Sequence, residues 1–365
     1  MLVKIERTTA PNQPLSGRLA VLLLSLVLAL VIGAVFMLSV GVDPLATYVT
    51  MFSGAFGSSY SLSETLVKAT PLSFLALAVL LPSLAQFWNV GAEGQYAMGA
   101  FAGTGVALYI APSIPSYLVI PLMLVAAFLA GAVWGVIPAL LKTAFKTNEI
   151  LTTLMMNYIA SYWLDYLVYT AWKDPNGFGF PGTAAFPADA RIPQIFGRAH
   201  AGMFVVLALT VVTWVVMERS RFGFELRVMG ESLKSAYYAG FPVAKNIMLA
   251  MLISGGLAAV AGLFEIAGID HRLQAGFLVK YGFTALIIAW MARLNPLAVI
   301  PVAILYAGLS TGSDQLQLTM GLPSSIATVL MGIILVVMLG SQALQRYHLT
   351  LVVRGKLWTL PSSLH

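Results

Sequence analysis

Cysteine is absent from the chain, so no disulfide framework, thiolate metal site or cysteine nucleophile can be built from it. Charge is nearly as scarce: only 9% of the 365 residues are Asp, Glu, Lys or Arg, against about 25% in a soluble globular domain. No water-soluble fold can dress its surface with so few. Histidine occurs four times, at His200, His271, His348 and His365, and no two share a metal-ligand spacing. A phosphate-binding loop is missing too. Gly355-Lys356 is followed by Leu357 and lacks the upstream glycine, so the chain cannot hydrolyse ATP on its own. No Ser/His/Asp set can be assigned to one membrane face, which leaves catalysis without a visible seat and no metal site to propose. Soluble enzymes and nucleic-acid-binding domains are excluded.

What the chain does have is apolar surface, with 59% hydrophobic residues arranged largely in runs of the length that crosses a hydrocarbon core of ~30 Å. Such runs lie at about 20–40, 67–87, 94–111, 117–141, 150–171, 201–217, 247–268, 282–292, 296–310 and 325–344. They predict an all-α polytopic membrane protein of about ten transmembrane helices, with 282–292 too short to span alone. The first run is longer than a signal-peptide core and is read as a retained helix. Orientation follows from Lys and Arg. With the N-terminus in the cytoplasm, Lys4, Arg7, Arg18, Lys142, Lys146, Arg219, Arg221, Arg227, Lys234, Lys245, Arg293, Arg346, Arg354 and Lys356 fall inside. Lys68, Lys173, Arg191, Arg198, Arg272 and Lys280 fall outside, a 14 to 6 split of the 20 basic residues. The formal charge of +6 is thus an orientation signal. Both termini are expected in the cytoplasm: a segment 1–18, a membrane domain 19–344 and a tail 345–365. The longest inner loop is 218–246 and the longest outer one 172–200. Small-residue spacings, Gly99-x-x-x-Gly103, Gly131-x-x-x-Gly135 and Ser254-Gly255-Gly256 to Ala258-Ala259, predict close helix packing in lipid.

Three polar regions interrupt this pattern. Asn89-Val90-Gly91-Ala92-Glu93-Gly94-Gln95 is a glycine-interrupted knot between apolar runs, the signature of a discontinuous helix near 89–95. A cytoplasmic turn in which Glu93 merely caps a helix would read the same way. On the next-but-one run Thr153, Asn157, Ser161 and Asp165 recur every fourth position, flanked by Tyr158, Tyr162 and Tyr166. Such a stripe suits a wet path along which a sugar or base slides, and it equally suits interhelical glue. The third region runs from Arg219 through Phe222, Phe224, Leu226, Arg227, Gly230 and Glu231 to Ala236, Tyr238 and Gly240. Its alternating charged and apolar residues predict a short amphipathic helix on the inner face, able to dock a soluble partner, with Gly230 and Gly240 permitting turns.

Phe87-Trp88-Asn89-Val90-Gly91-Ala92-Glu93-Gly94-Gln95 and Asn148-Glu149-Ile150-Leu151-Thr152-Thr153-Leu154-Met155-Met156-Asn157-Tyr158 closely resemble segments of permease subunits of bacterial ABC importers. The family is that of branched-chain amino acid, ribose and simple-sugar permeases, and the second segment is most similar to its purine-nucleoside-type members. Gly230-Glu231 to Ala239-Gly240-Phe241, and Tyr281-Gly282-Phe283 to Arg293-Leu294-Asn295-Pro296, are similar to further segments of that family, so the resemblance covers about residues 65–340. It implies a path formed with a second permease, two cytoplasmic ATPase subunits that hold the ATP, an extracytoplasmic binding protein that delivers the solute, and a bacterial cytoplasmic membrane. It implies no cofactor on this chain and no nucleic-acid partner. Asn89, Glu93, Gln95, Thr153, Asn157, Tyr158, Ser161 and Asp165 are then expected along the translocation path. Arg227, Gly230, Glu231, Ala236 and Gly240 are expected at the ATPase contact, within the coupling segment 218–246. The rival reading is an ion-coupled secondary transporter using Glu93, Asp165 and Glu265.

Overall fold

A computed structural model describes the backbone of residues 2–7, 15–344, 347–353 and 356–359; much of the predicted tails 1–18 and 345–365 therefore lies outside the described residues. In chain order the elements are β1 (Leu2–Arg7), α1 (Leu15–Ser39), α2 (Pro44–Phe56), α3 (Ser59–Leu84), α4 (Ala92–Gly105), α5 (Ser116–Phe145) and α6 (Glu149–Tyr166). Then come β2 (Gln194–Phe196), β3 (Ala199–His200), α7 (Gly202–Arg219), α8 (Arg221–Glu231), α9 (Leu233–Tyr238) and α10 (Val243–Glu265). The chain closes with α11 (Tyr281–Met291), α12 (Pro296–Met320), α13 (Ser324–Leu344), β4 (Tyr347–Val353) and β5 (Lys356–Thr359).

Every apolar run expected to be helical is helical. Their lengths differ from expectation, however: among the described residues five helices are long and apolar enough to cross a membrane, or six if α1 and α2, bent by 120°, count as one span. The shortfall has local causes. The runs at 94–111 and 150–171 fold as α4 and α6, each closed by a wide π-type turn, Val106–Ile110 and Leu167–Ala171, and polar residues such as Glu93, Gln95, Asn157 and Asp165 lower their hydropathy below that of a full span. The third, α11, has only 11 residues. Helix α2 was not expected; Asp43 caps it by accepting from the N–H groups of Leu45 and Ala46, and Pro44 opens it.

The chain divides into two compact units, with the second boundary inside α12. In the unit made of 1–57 and 309–365, Met37, Met51, Leu316 and Leu330 form the core. There β1 pairs antiparallel with β4, and β4 with β5. The unit 58–308 is centred on α3 and α10, both buried along most of their length, whereas only 28% of the α5 and α7 windows is buried. The small residues do what their spacing suggests. A Cβ at Gly99 would collide with the Ala259 backbone, and one at Gly131 with the Gly255 carbonyl, so α4, α5 and α10 cross backbone to backbone. The long segment 172–200 is pinned by backbone bonds from Thr183 to Leu273 (2.8 Å), Phe186 to His271 (2.8 Å) and Ile192 to Ala267 (2.9 Å).

Candidate functional site

Helix α3 ends at Leu84, and Gln86 turns the chain through a left-handed conformation (φ 57°) into the coil that precedes α4. No side chain of its own caps α4. The orphan groups at this break are satisfied instead by other helices. Asn157 of α6 accepts from the Gly94 N–H at 2.7 Å and donates to the Val90 carbonyl at 2.8 Å. Asn89 is fully buried, accepts from the Gly91 N–H at 3.0 Å, and donates to Gln95 at 3.0 Å and to Ser254 of α10 at 2.9 Å. The Glu93 carboxylate accepts the N–H groups of Lys280 (2.7 Å) and Gly282 at the start of α11, where the helix dipole favours an anion. The glycine-interrupted stretch 89–95 thus lies in the coil between α3, a full span by itself, and the first turn of α4. The break forms a buried junction of α4, α6, α10 and α11, in which the side-chain amides of Asn89, Gln95 and Asn157 are all bonded to protein.

The predicted path residues separate into two groups. Asn89, Glu93, Gln95, Thr153 and Asn157 come together in this junction and are buried. Thr153 returns its hydroxyl to the Glu149 carbonyl and packs on Gly91. Ser161 and Asp165, one and two turns further along α6, are half-buried and take no part in the junction. Tyr158, Tyr162 and Tyr166 are 53%, 71% and 55% exposed, so α6 presents bare tyrosines beside the buried amide face. Near the junction Trp88 stacks on Trp290 at 5.1 Å, and Tyr96 on Phe277 at 5.0 Å. The Tyr96 hydroxyl and one Glu265 oxygen are buried without a partner.

The segment 218–246 holds two short helices rather than the single one expected, because Ser232 interrupts the run: it ends α8 and caps α9 through the Ser235 N–H. Ser220 caps α8. Within α8 the buried Glu225 accepts from Asn246 of α10 at 2.6 Å and from Arg221 at 2.7 Å. Those two bonds, the Asn246 one first, hold its carboxyl below the usual carboxylate range. Gly240 does adopt a positive φ, 75°, and closes α9. Gly230 does not make a turn; it lies inside α8, and its bare Cα lets α8 rest on the Leu84 carbonyl, where a Cβ would not fit. Ala236 is fully buried. Phe224, Arg227, Val228, Glu231, Ser232 and Ser235 line a concavity of about 460 Å³.

Four of these side chains escaped the reading of the sequence. Ser254 sits in a run that announces packing only, Gln86 in no motif, and the Glu225–Asn246 pair is separated by an intervening helix. Of the acids of the ion-coupled reading, Asp165 is half-buried on α6 and Glu265 has a buried, unpartnered oxygen. Glu93 is spent on α11, and no group of three acidic or histidine side chains able to hold a metal forms among the described residues.

The family described as "Branched-chain amino acid transport system / permease component" matches residues 61–339. The chain is 34% identical to the glucose ABC transporter permease protein TsgB13 of Haloferax volcanii, over 89% of this chain and 88% of that one. It is 33% identical to the guanosine ABC transporter permease protein NupP of Bacillus subtilis, over 90% and 95%. A second permease of the same organism and solute name, NupQ, is 25% identical over 66% and 78%. With that family model spanning residues 61–339 and relatives at 34% and 33% identity along nearly their whole length, the chain belongs to the branched-chain amino acid transport system permease family and is an ABC transporter permease.

Proposed function

We propose that this chain is one of two related permeases forming the path of a binding-protein-dependent importer for nucleosides or simple sugars in the bacterial cytoplasmic membrane. Two cytoplasmic ATPases drive it, and the chain makes and breaks no covalent bond. The observation that carries this reading is the tyrosine column of α6. Tyr158, Tyr162 and Tyr166 run along about 12 Å of helix axis, whereas belt tyrosines gather at one interfacial depth. A mid-helix tyrosine cannot leave its hydroxyl in lipid without cost, so the column faces water or cargo. Rings that stack and hydroxyls that exchange hydrogen bonds suit a solute that is cyclic and polyhydroxylated. Ser161 and Asp165 extend that wall, while Asn89, Glu93, Gln95, Thr153 and Asn157 fix its shape. The names of the relatives, glucose and guanosine, fit the same solute chemistry. Two distinct guanosine permeases of one organism both resembling this chain support a heteromeric pair.

The 14 to 6 basic split supports ten spans with both termini inside, and the β1–β4 pairing supports termini on one face. The ATPase contact is assigned to the concavity of α8 and α9, with Arg227 and Glu231 at its surface and Gly230, Ala236 and Gly240 shaping it. The reconstituted importer, in proteoliposomes with its binding protein, is to be offered nucleosides, pentoses, hexoses and branched-chain amino acids. Tyr158→Ala and Tyr162→Ala should each lower uptake about two- to tenfold, the worth of one aromatic contact, with basal ATP hydrolysis kept. Unchanged uptake in both, or uptake of branched-chain amino acids alone, would refute the reading.

A further inference from the structure

Resting on the assignment of α8 and α9 as the ATPase contact, we infer that Gln86 is the positioning residue that hands motion of α8 to the broken helix. Gln86 is exposed, yet it is not free. Its Nε2 donates to the Gly230 carbonyl at 2.5 Å, across 144 residues of sequence. That carbonyl belongs to the last turn of α8, where helix carbonyls have no partner of their own. Gln86 therefore caps α8 from outside, and Gly230 lets the two backbones touch at Leu84. The left-handed φ of Gln86, unfavourable for a residue with a Cβ, is maintained in an elbow whose backbone bonds return to Pro82 and Ser83.

Three residues beyond that elbow the junction begins. Asn89 reaches Ser254 on α10, Val90 and Gly94 hold Asn157 on α6, and Glu93 holds the first turn of α11. A displacement of the end of α8 thus enters, through Leu84 and Gln86, a segment tied to three other helices. Glu225, bonded to Asn246, fixes α8 to the foot of α10 at a separate point. With the middle of α8 anchored there, its C-terminal end moves against the elbow. Coupling carried by such a contiguous bonded network is testable by cutting one bond in it.

The test uses the complete importer. Gln86→Ala removes the donor, Gln86→Glu sets a carboxylate against the carbonyl, and Gln86→Lys restores a donor of sufficient reach. The first two should lower solute moved per ATP hydrolysed about three- to tenfold, the worth of a neutral hydrogen bond, and Gln86→Lys should recover most of it. A cysteine reporter in α11, Phe283→Cys, partly exposed in this otherwise cysteine-free chain, should change its labelling rate with ATP in the parent and lose that change in Gln86→Ala. ATPase should co-purify with all three, because the face bearing Arg227 and Glu231 is untouched. A transport-to-ATP ratio unchanged in Gln86→Ala, with or without lower thermal stability, overturns the inference, as does a Gln86→Lys protein no better than Gln86→Ala. The underlying assignment fails separately: Glu231→Arg leaving ATPase bound and transport intact would refute the contact surface itself.

Discussion

Asn157 distinguishes a path residue from a structural one. Its side chain, 6% exposed, accepts the Gly94 N–H at 2.7 Å and donates to the Val90 carbonyl at 2.8 Å. Asn157→Leu keeps the approximate volume but strands one donor and one acceptor where neither meets water. Each stranded group costs about 1–3 kcal/mol, so the pair costs roughly 2–6 kcal/mol, a large part of a total stability of about 5–15 kcal/mol. At about 2 °C per kcal/mol for a unit of this size, the midpoint of thermal unfolding should fall by roughly 4–12 °C. In a chain without cysteine, thiol dyes are silent, and the seven tryptophans provide the signal in detergent. Asn157→Asp should fall as well, since it keeps the acceptor and loses the donor to Val90. Asp165→Leu, half-buried and outside the junction, should lower flux with little change in the midpoint. An Asn157→Leu protein that melts like the parent while solute flux collapses would refute the argument and return Asn157 to the path.

Other predictions address topology, outer-face chemistry and α11. Impermeant maleimide on intact cells should label Ala184→Cys, an exposed position in the pinned segment 172–200, and should not label Ser235→Cys. Ser235 replaces Ser220 as the inner probe because the Ser220 hydroxyl caps α8, and outside labelling of Ser235→Cys would invert the orientation. His200 is buried against Phe264, and burial lowers its pKa from 6.5 to about 4. The unfolded chain then binds the proton more readily, so its stabilisation is full above pH 6.5, is lost as pH falls toward 4 and stays lost below. The total is at most about 3 kcal/mol. His200→Asn retains an acceptor for the Gly202 N–H and should flatten that part of the melting profile; parallel profiles would refute the assignment. Glu93→Gln keeps one acceptor of two and should cost about 1–3 kcal/mol in stability, with uptake at fixed ATP still insensitive to an uncoupler.

The helices were legible because burial in lipid leaves little choice of residue: each apolar run in the sequence is helical, and the glycine pairs lie where backbones cross. Their ends were less legible. The π-type turns closing α4 and α6 carry no breaker residue, so their sequences read as continued spans. Helix α2 was missed although Asp43-Pro44 is a strong start signal, because 13 residues are too few for a hydropathy window to register. At the site, the break at 89–95 was legible from its two glycines, whereas its partners were not. Which helix supplies the acceptor for Gly94 depends on packing between residues 63 positions apart, and no local pattern encodes that.

The same consideration explains why the polar stripe divides as it does. A broken helix inside a membrane exposes N–H and carbonyl groups that lipid cannot satisfy. An intact helix would satisfy them within itself, and its neighbours would then be free to slide past it. Here Asn157 and Glu93 bond to backbone atoms at the starts of α4 and α11, and Asn89 ties the break to Ser254 on α10. The polar atoms that lipid makes most costly are thus the ones that link separate helices. Such residues are buried and engaged with neighbouring helices. The exposed side chains on α6 that are proposed to meet cargo are the tyrosines. In the sequence the two sets meet at adjacent positions, Asn157 beside Tyr158. A single 100° step round the helix separates the side chain that holds the junction from the side chain proposed to meet the solute.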